Sequence, residues 1–215
     1  MHGSKADQKS IGLIILLSKL RDAIDLHRVV SANAEALGQT DASPTLFGYL
    51  QMIALESVAI CFCKVFEVEG RNELKSIPGV IGALPSQNLD ARQIEQFASF
   101  GRKYGNPDQP SDPKLFLQET LNRFVAAHSD SLKQFKEFRD TIGAHSDLAA
   151  SRETLPSHAE FEALFAFALD FYELVARAVI GVGPASPPRR VGHGLVKLLR
   201  SLGVPNPRFE FPPDQ

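Results

Sequence analysis

The chain has 215 residues, a formal net charge of −2, and 44% hydrophobic against 22% charged residues. That length fits one domain with an appendage and is enough to bury a sizeable core. The near-neutral balance excludes a protein that coats a polyanion over its whole surface, so any nucleic-acid contact has to come from a local patch.

Met1 to Gln8 are polar and small and read as a disordered lead-in. Leu13, Leu16, Leu17, Leu20 and Ile24 then recur at helical spacing to about Ala36, with a stop at Gly38. Ile11 to Leu17 is a local apolar run interrupted by Gly12, far shorter than the ~20 residues of a membrane span. No convincing small-residue cleavage site follows it, so a soluble, cytoplasmic protein without membrane contact is expected. Ser43 before Pro44 is a cap followed by a proline at the first helical position, where its missing N–H is not needed. The helix opened there runs to about Glu67 and is apolar almost all round (Leu46, Phe47, Leu50, Ile53, Val58, Phe62), which predicts the centre of a bundle. Cys61 and Cys63 lie in it about 200° apart, a spacing that gives neither a disulfide framework nor a metal site.

From Val68 to Pro110, glycines and prolines leave room for two short helices near Asn72–Leu84 and Asp90–Lys103. The end of the second, Arg102-Lys103-Tyr104, combines charge with an aromatic ring and reads either as a nucleic-acid contact or as a solvated helix end. Asp112 before Pro113 repeats the cap signal and opens a helix with Leu115, Phe116, Leu121, Phe124 and Val125 inside, with a break near His128 to Asp130. After a connector, Ser157-His158-Ala159-Glu160 has the form of a capping box. The helix it starts carries a stripe of Phe161, Leu164, Phe165, Ala168, Phe171, Tyr172, Val175 and Val179, ending at Gly181-Val182-Gly183. The tail opens with Pro184, Pro187 and Pro188, has room for one short helix (Val191 to Leu202), and carries a net charge of +3. No strand pattern, repeat or phosphate-cradling glycine motif occurs. The expected fold is all-α: an up-and-down four-helix bundle over 9–181 with a short-helix insertion, after a lead-in at 1–8 and before a Pro-rich basic tail at 182–215.

The residue that most needs an explanation is Arg139. On a helix advancing about 100° per residue, Leu132, Phe135, Phe138 and Ile142 share an apolar face, and Arg139 projects between the directions of Leu132 and Phe135. A guanidinium so placed needs a partner, a cavity or a subunit interface, because an unpaired buried charge is costly. A purely structural reading pairs it with a carboxylate such as Glu56 or Glu67 and makes His145, just past Gly143, a helix-terminal cap. If the helix continued past Gly143, His145 would stand about 120° from Arg139 and ~9 Å along the axis. One chain then scarcely forms a compact site, whereas two chains packed through the apolar stripe bring both pairs together. Of the other histidines, His2, His27, His128, His158 and His193, no two have zinc-ligand spacing, so no metal or other cofactor is expected.

Arg139-Asp140-x-x-x-Ala144-His145-Ser146-Asp147, preceded by long helices and followed by an amphipathic one, resembles the R-x(4–6)-H signature of the HEPN superfamily, most closely its abortive-infection, phage-defence branch. The resemblance covers about Ile11 to Gly181. It implies a homodimeric helical bundle whose two motifs face one another across a cleft as a metal-independent endoribonuclease, in some systems neutralised by an antitoxin protein. Arg139 and His145 are then catalytic, with Asp140, Ser146 and Asp147 in support. Imidazole, with an unperturbed pKa near ~6.5, can move the proton that a 2′-OH attack on RNA requires. Guanidinium can stabilise the anionic phosphorane. The alternative the resemblance leaves open is a catalytically inactive interaction or nucleotide-binding module.

Overall fold

A computed structural model of the protein describes residues 4–40, 44–68, 75–86, 88–144 and 155–208. Every regular element among them is helical: α1 (Lys5–Ala32), α2 (Ala34–Gly38), α3 (Pro44–Phe66), α4 (Ile77–Ala83), α5 (Ala91–Lys103), α6 (Pro113–Ala127), α7 (Ser129–Ala144), α8 (His158–Leu174) and α9 (Arg190–Ser201). The protein is all-α. The α8 helix continues as a π-helical segment, Val175–Ile180, closed by Gly181 at φ +76°. Glycine adopts that left-handed conformation at no steric cost because it lacks a Cβ.

Contacts divide the chain into two units, Met1–Leu17 with Ile60–Ser186, and Ser18–Ala59 with Pro187–Gln215. This partition differs from the lead-in, bundle and tail expected from composition. Lys5 to Gln8 are already helical, and the tail groups with residues of α1 to α3 rather than standing apart.

The first unit is built on phenylalanine. Phe62, Phe97, Phe135, Phe138, Phe167 and Phe171 are fully buried, each worth about 1.5–3 kcal/mol of burial. Phe167 of α8 stacks on Phe124 of α6 with ring centroids 3.9 Å apart, and Phe135 of α7 meets Phe62 of α3 at 4.8 Å. The predicted α8 stripe is buried from Phe161 through Val175. Asp112 caps α6 by accepting from the Leu115 amide at 2.9 Å, and Asp90 and Gln93 form a full capping box on α5. The α5 helix packs on α6 and α8, and α6 on α4 and α7. Gly101 permits the α5–α6 approach, since a Cβ there would strike the Phe116 ring and the Asn106 carbonyl oxygen.

Three local expectations need correction. Leu115 is 72% exposed, because the buried face of α6 runs through Phe116, Leu117, Thr120, Leu121 and Phe124, and Leu115 falls one step outside it. Half of the α8 capping box forms: Ser157 accepts from the Glu160 amide at 3.3 Å, but the Glu160 carboxylate turns to His128 and Ser131 instead. The α3 helix is not enclosed on all sides. Leu46, Tyr49, Ile53 and Ile60 are exposed along it, and its Thr45–Phe66 stretch is long and apolar enough to cross a membrane by length and composition, a criterion that buried core helices also meet. Ser43, the expected cap of this helix, lies outside the described residues.

In the second unit, Val29, Val30, Leu37 and Phe47 form one cluster with Leu195, Val196, Leu199 and Val204. Buried Asn33, at the break between α1 and α2, donates to the Arg208 carbonyl at 3.0 Å and accepts from the Arg208 amide at 2.8 Å. Asp25 is completely buried, and neither carboxylate oxygen has a hydrogen-bond partner among the described residues. Burial pushes its pKa up to about 6, against the pull of Arg21, Arg189 and Arg28.

Candidate active site

The α7 helix carries the candidate site residues Arg139 and Asp140, and its two faces are unequal. Phe135 and Phe138 are buried and Leu132 is half-buried, while Lys133, Lys136 and Glu137 are exposed. Arg139 emerges at the edge of the apolar face with its side chain 35% exposed. Both Nε and Nη2 donate to Oδ1 of Asp140, at 2.9 and 2.7 Å. The partner is therefore the next residue in the chain and not the α3 carboxylates considered from spacing. The Asp140 hydrogen bonds, with Cys63, Asp140 and Glu67 nearby, hold the guanidinium pKa above its ordinary value. A half-exposed pair of this kind adds little stability; its effect is to fix the direction of the guanidinium.

Arg139 lines a cleft of about 390 Å³ with Cys63, Phe66 and Glu67 from the end of α3, Val125 from α6, and Leu132 and Lys136 from α7. Burial pushes the Cys63 thiol pKa up, opposed by the Arg139 charge, so at neutral pH Cys63 is a thiol and not a nucleophile. Lys136 and Glu67 make no hydrogen bond or ion pair with another described residue. The cleft thus presents two cations one helical turn apart, a carboxylate, and a half-buried apolar wall. His145, Ser146 and Asp147 lie outside the described residues, so of the five predicted site residues the structure places Arg139 and Asp140, in direct contact.

A family model described as AbiU2, of the HEPN group, matches residues 13–188. The chain belongs to the AbiU2 HEPN family. Comparison with curated proteins and with solved structures gives no match. The AbiU2 match includes the whole R-x5-H segment and extends past Gly181 into the proline-rich connection. This makes the chain an abortive-infection-type HEPN domain.

Two other features of the AbiU2 domain bear on where its site lies. His128, half-buried at the α6–α7 junction, places Nδ1 2.9 Å from Oε2 of Glu160, and Ser131 donates to the same oxygen at 2.9 Å. These bonds hold the Glu160 pKa below the usual carboxylate value and tie the start of α8 to the α6–α7 corner. A larger groove, about 800 Å³, runs along α5 and α8 and is lined in part by Arg92, Lys103, Asp170, Glu173 and Arg177. Its charges are largely paired: Lys103 meets Asp170 at 2.7 Å, Arg102 meets Glu95 at 2.9 Å, and the Tyr104 hydroxyl donates to Asp170 at 2.7 Å. Burial, reinforced by the Asp170 hydrogen bond, pushes the Tyr104 pKa far up. Its ring packs on Phe167 at 4.8 Å. Tyr104 is accordingly pinned, while Arg102 and Lys103 are exposed and held in surface ion pairs. Of the residues lining the cleft, Lys136 and Cys63 were not singled out from sequence, and Glu67 was considered only as a partner for Arg139. Lys136 was visible as the position one turn before Arg139, whereas Cys63 and Glu67 reach the cleft only through tertiary packing.

Proposed function

We propose that this domain is a metal-independent endoribonuclease of phage-defence or toxin type, acting in the cytoplasm as a homodimer. The observation that carries the reading is the setting of Arg139 in an AbiU2-family chain. It stands on an open cleft with two of its five N–H donors held by Asp140 and the other three bonded to no other described residue.

In the reaction, the RNA 2′-oxygen attacks the adjacent phosphorus and the bond from phosphorus to the 5′-oxygen breaks, leaving a 2′,3′-cyclic phosphate and a 5′-hydroxyl. The 2′-OH proton passes to one imidazole, and a second imidazole protonates the departing 5′-oxygen. One chain has one His145, so two copies facing one another supply both groups. Arg139 stabilises the phosphorane charge, Asp140 fixes its direction, and Ser146 and Asp147 position His145. Control by a neutralising antitoxin protein follows naturally for such an activity.

Incubating the purified protein with RNA in EDTA tests the proposal. Cleavage that survives chelation, yields cyclic-phosphate ends and disappears in Arg139→Ala and His145→Ala supports it. Intact RNA with the wild-type protein, itself folded and dimeric, refutes it and leaves the domain as a binding module.

A further inference from the structure

We infer that the Arg139 cleft is a pocket for a single guanosine nucleotide, with Glu67 reading the base. The inference rests on the reading of Arg139 as the phosphate-binding group and adds the identity of the nucleotide beside the phosphate. At about 390 Å³ the cleft is in the range of small-ligand sites, large enough for one nucleotide and too small for a duplex. A base entering it has to be splayed out of its stack, the usual way that single-stranded RNA is read.

The walls divide by chemistry. Phe66, Val125 and Leu132 are each half-buried and keep apolar surface open to the cleft, suited to the face of a planar base. Lys136 and Arg139 are three residues apart on α7 and therefore neighbours on its surface, suited to the phosphate. Glu67, exposed just past the end of α3, is the one carboxylate among the described residues that line the cleft; it lies within electrostatic reach of Arg139 but makes no hydrogen bond or ion pair with another described residue.

An ionised carboxylate only accepts hydrogen bonds. Guanine alone among the four RNA bases presents two adjacent donors on its Watson–Crick edge, N1–H and N2–H, and these match the two carboxylate oxygens. Adenine and cytosine set a ring-nitrogen acceptor beside their amino group, and uracil flanks its one N–H with carbonyls. Each of these would push a lone pair against Glu67. A site built on such a hydrogen-bond pair discriminates strongly because the wrong base leaves its groups unpaired.

The test is calorimetric titration of the intact protein with the four ribonucleoside monophosphates, as both 3′ and 5′ esters, beside sequencing of cleavage ends on an RNA containing all four bases. Guanosine monophosphate should bind at least tenfold more tightly than the other three. Glu67→Gln, with an unchanged melting temperature, should erase that preference. Lys136→Ala should weaken guanosine monophosphate several-fold while leaving unphosphorylated guanosine unaffected. Cuts should fall beside guanosines in the wild type and lose that bias in Glu67→Gln. Equal affinity for the four nucleotides, no binding, or a preference that persists in Glu67→Gln overturns the inference. Guanosine-selective binding without RNA cleavage sinks the nuclease proposal and leaves the pocket standing; cleavage with no guanosine bias or selective binding does the reverse.

Discussion

The groove along α5 and α8 has about twice the volume of the Arg139 cleft, yet the smaller space carries the better case for chemistry. In the groove, Lys103, Tyr104 and Asp170 are bound to one another, and Arg102 is bound to Glu95. In the cleft, Lys136 and Glu67 make no hydrogen bond or ion pair with described residues, and Arg139 gives two of its donors to Asp140 and none to any other described residue. Volume measures what can fit, whereas uncommitted polar groups measure what can be recognised. A structural network and a reactive surface can share residue types and differ only in how many donors and acceptors remain.

The contrast is broken most directly at its strong end. Arg139→Ala and His145→Ala should each lower RNA cleavage by about 10²–10⁴-fold, measured as initial rates on a labelled RNA with folding checked by circular dichroism; equivalent losses from Arg92→Ala in the groove would erase the distinction. Asp140→Asn keeps the shape but weakens the grip on the guanidinium, and should cost about tenfold in rate with less effect on RNA binding.

Stability responds to other positions. The raised pKa of Asp25 (about 6) means the folded chain keeps a proton that the unfolded chain releases near 4. Its contribution is therefore greatest at low pH and is lost as pH rises through about 6. Asp25→Asn should raise unfolding free energy by about 1–2 kcal/mol at pH 8 and have little effect at pH 4, in urea titrations at both pH values, with RNA cleavage unaltered. At the weak end, Tyr104→Phe removes a hydrogen bond to Asp170 and should cost about 1 kcal/mol of stability with a cleavage rate within twofold of wild type. A larger drop in rate would move the groove into the site.

Much of this was legible in the sequence where local chemistry acts alone. Asp90 and Asp112 cap α5 and α6 because a short carboxylate at a helix start needs only the next turn to satisfy it. The α8 stripe is buried because a 3.6-residue period selects one face whatever covers it. The R-x5-H motif singles out Arg139 by sequence alone, and the AbiU2 match supports the family it suggests. What escaped depended on distant partners. Asp25 carries no burial signal in the sequence around it, and its complete burial in a unit that includes the tail is not a local property. Glu160 had a local role available and took a tertiary one with His128 and Ser131. Apolar content all round α3 described its composition rather than its surroundings, which leave Leu46, Tyr49 and Ile53 exposed.

The Asn33 amide treats Arg208 as an adjoining β-strand would, giving one N–H and receiving another from the main chain. Recognition of this kind ignores the side chain it holds. Position 208 should accept any residue that keeps its amide hydrogen and reject proline, while position 33 has no substitute of the same reach. A saturation library would therefore show one permissive and one invariant site joined by the same two hydrogen bonds, an asymmetry that a contact map, which scores both partners alike, does not display.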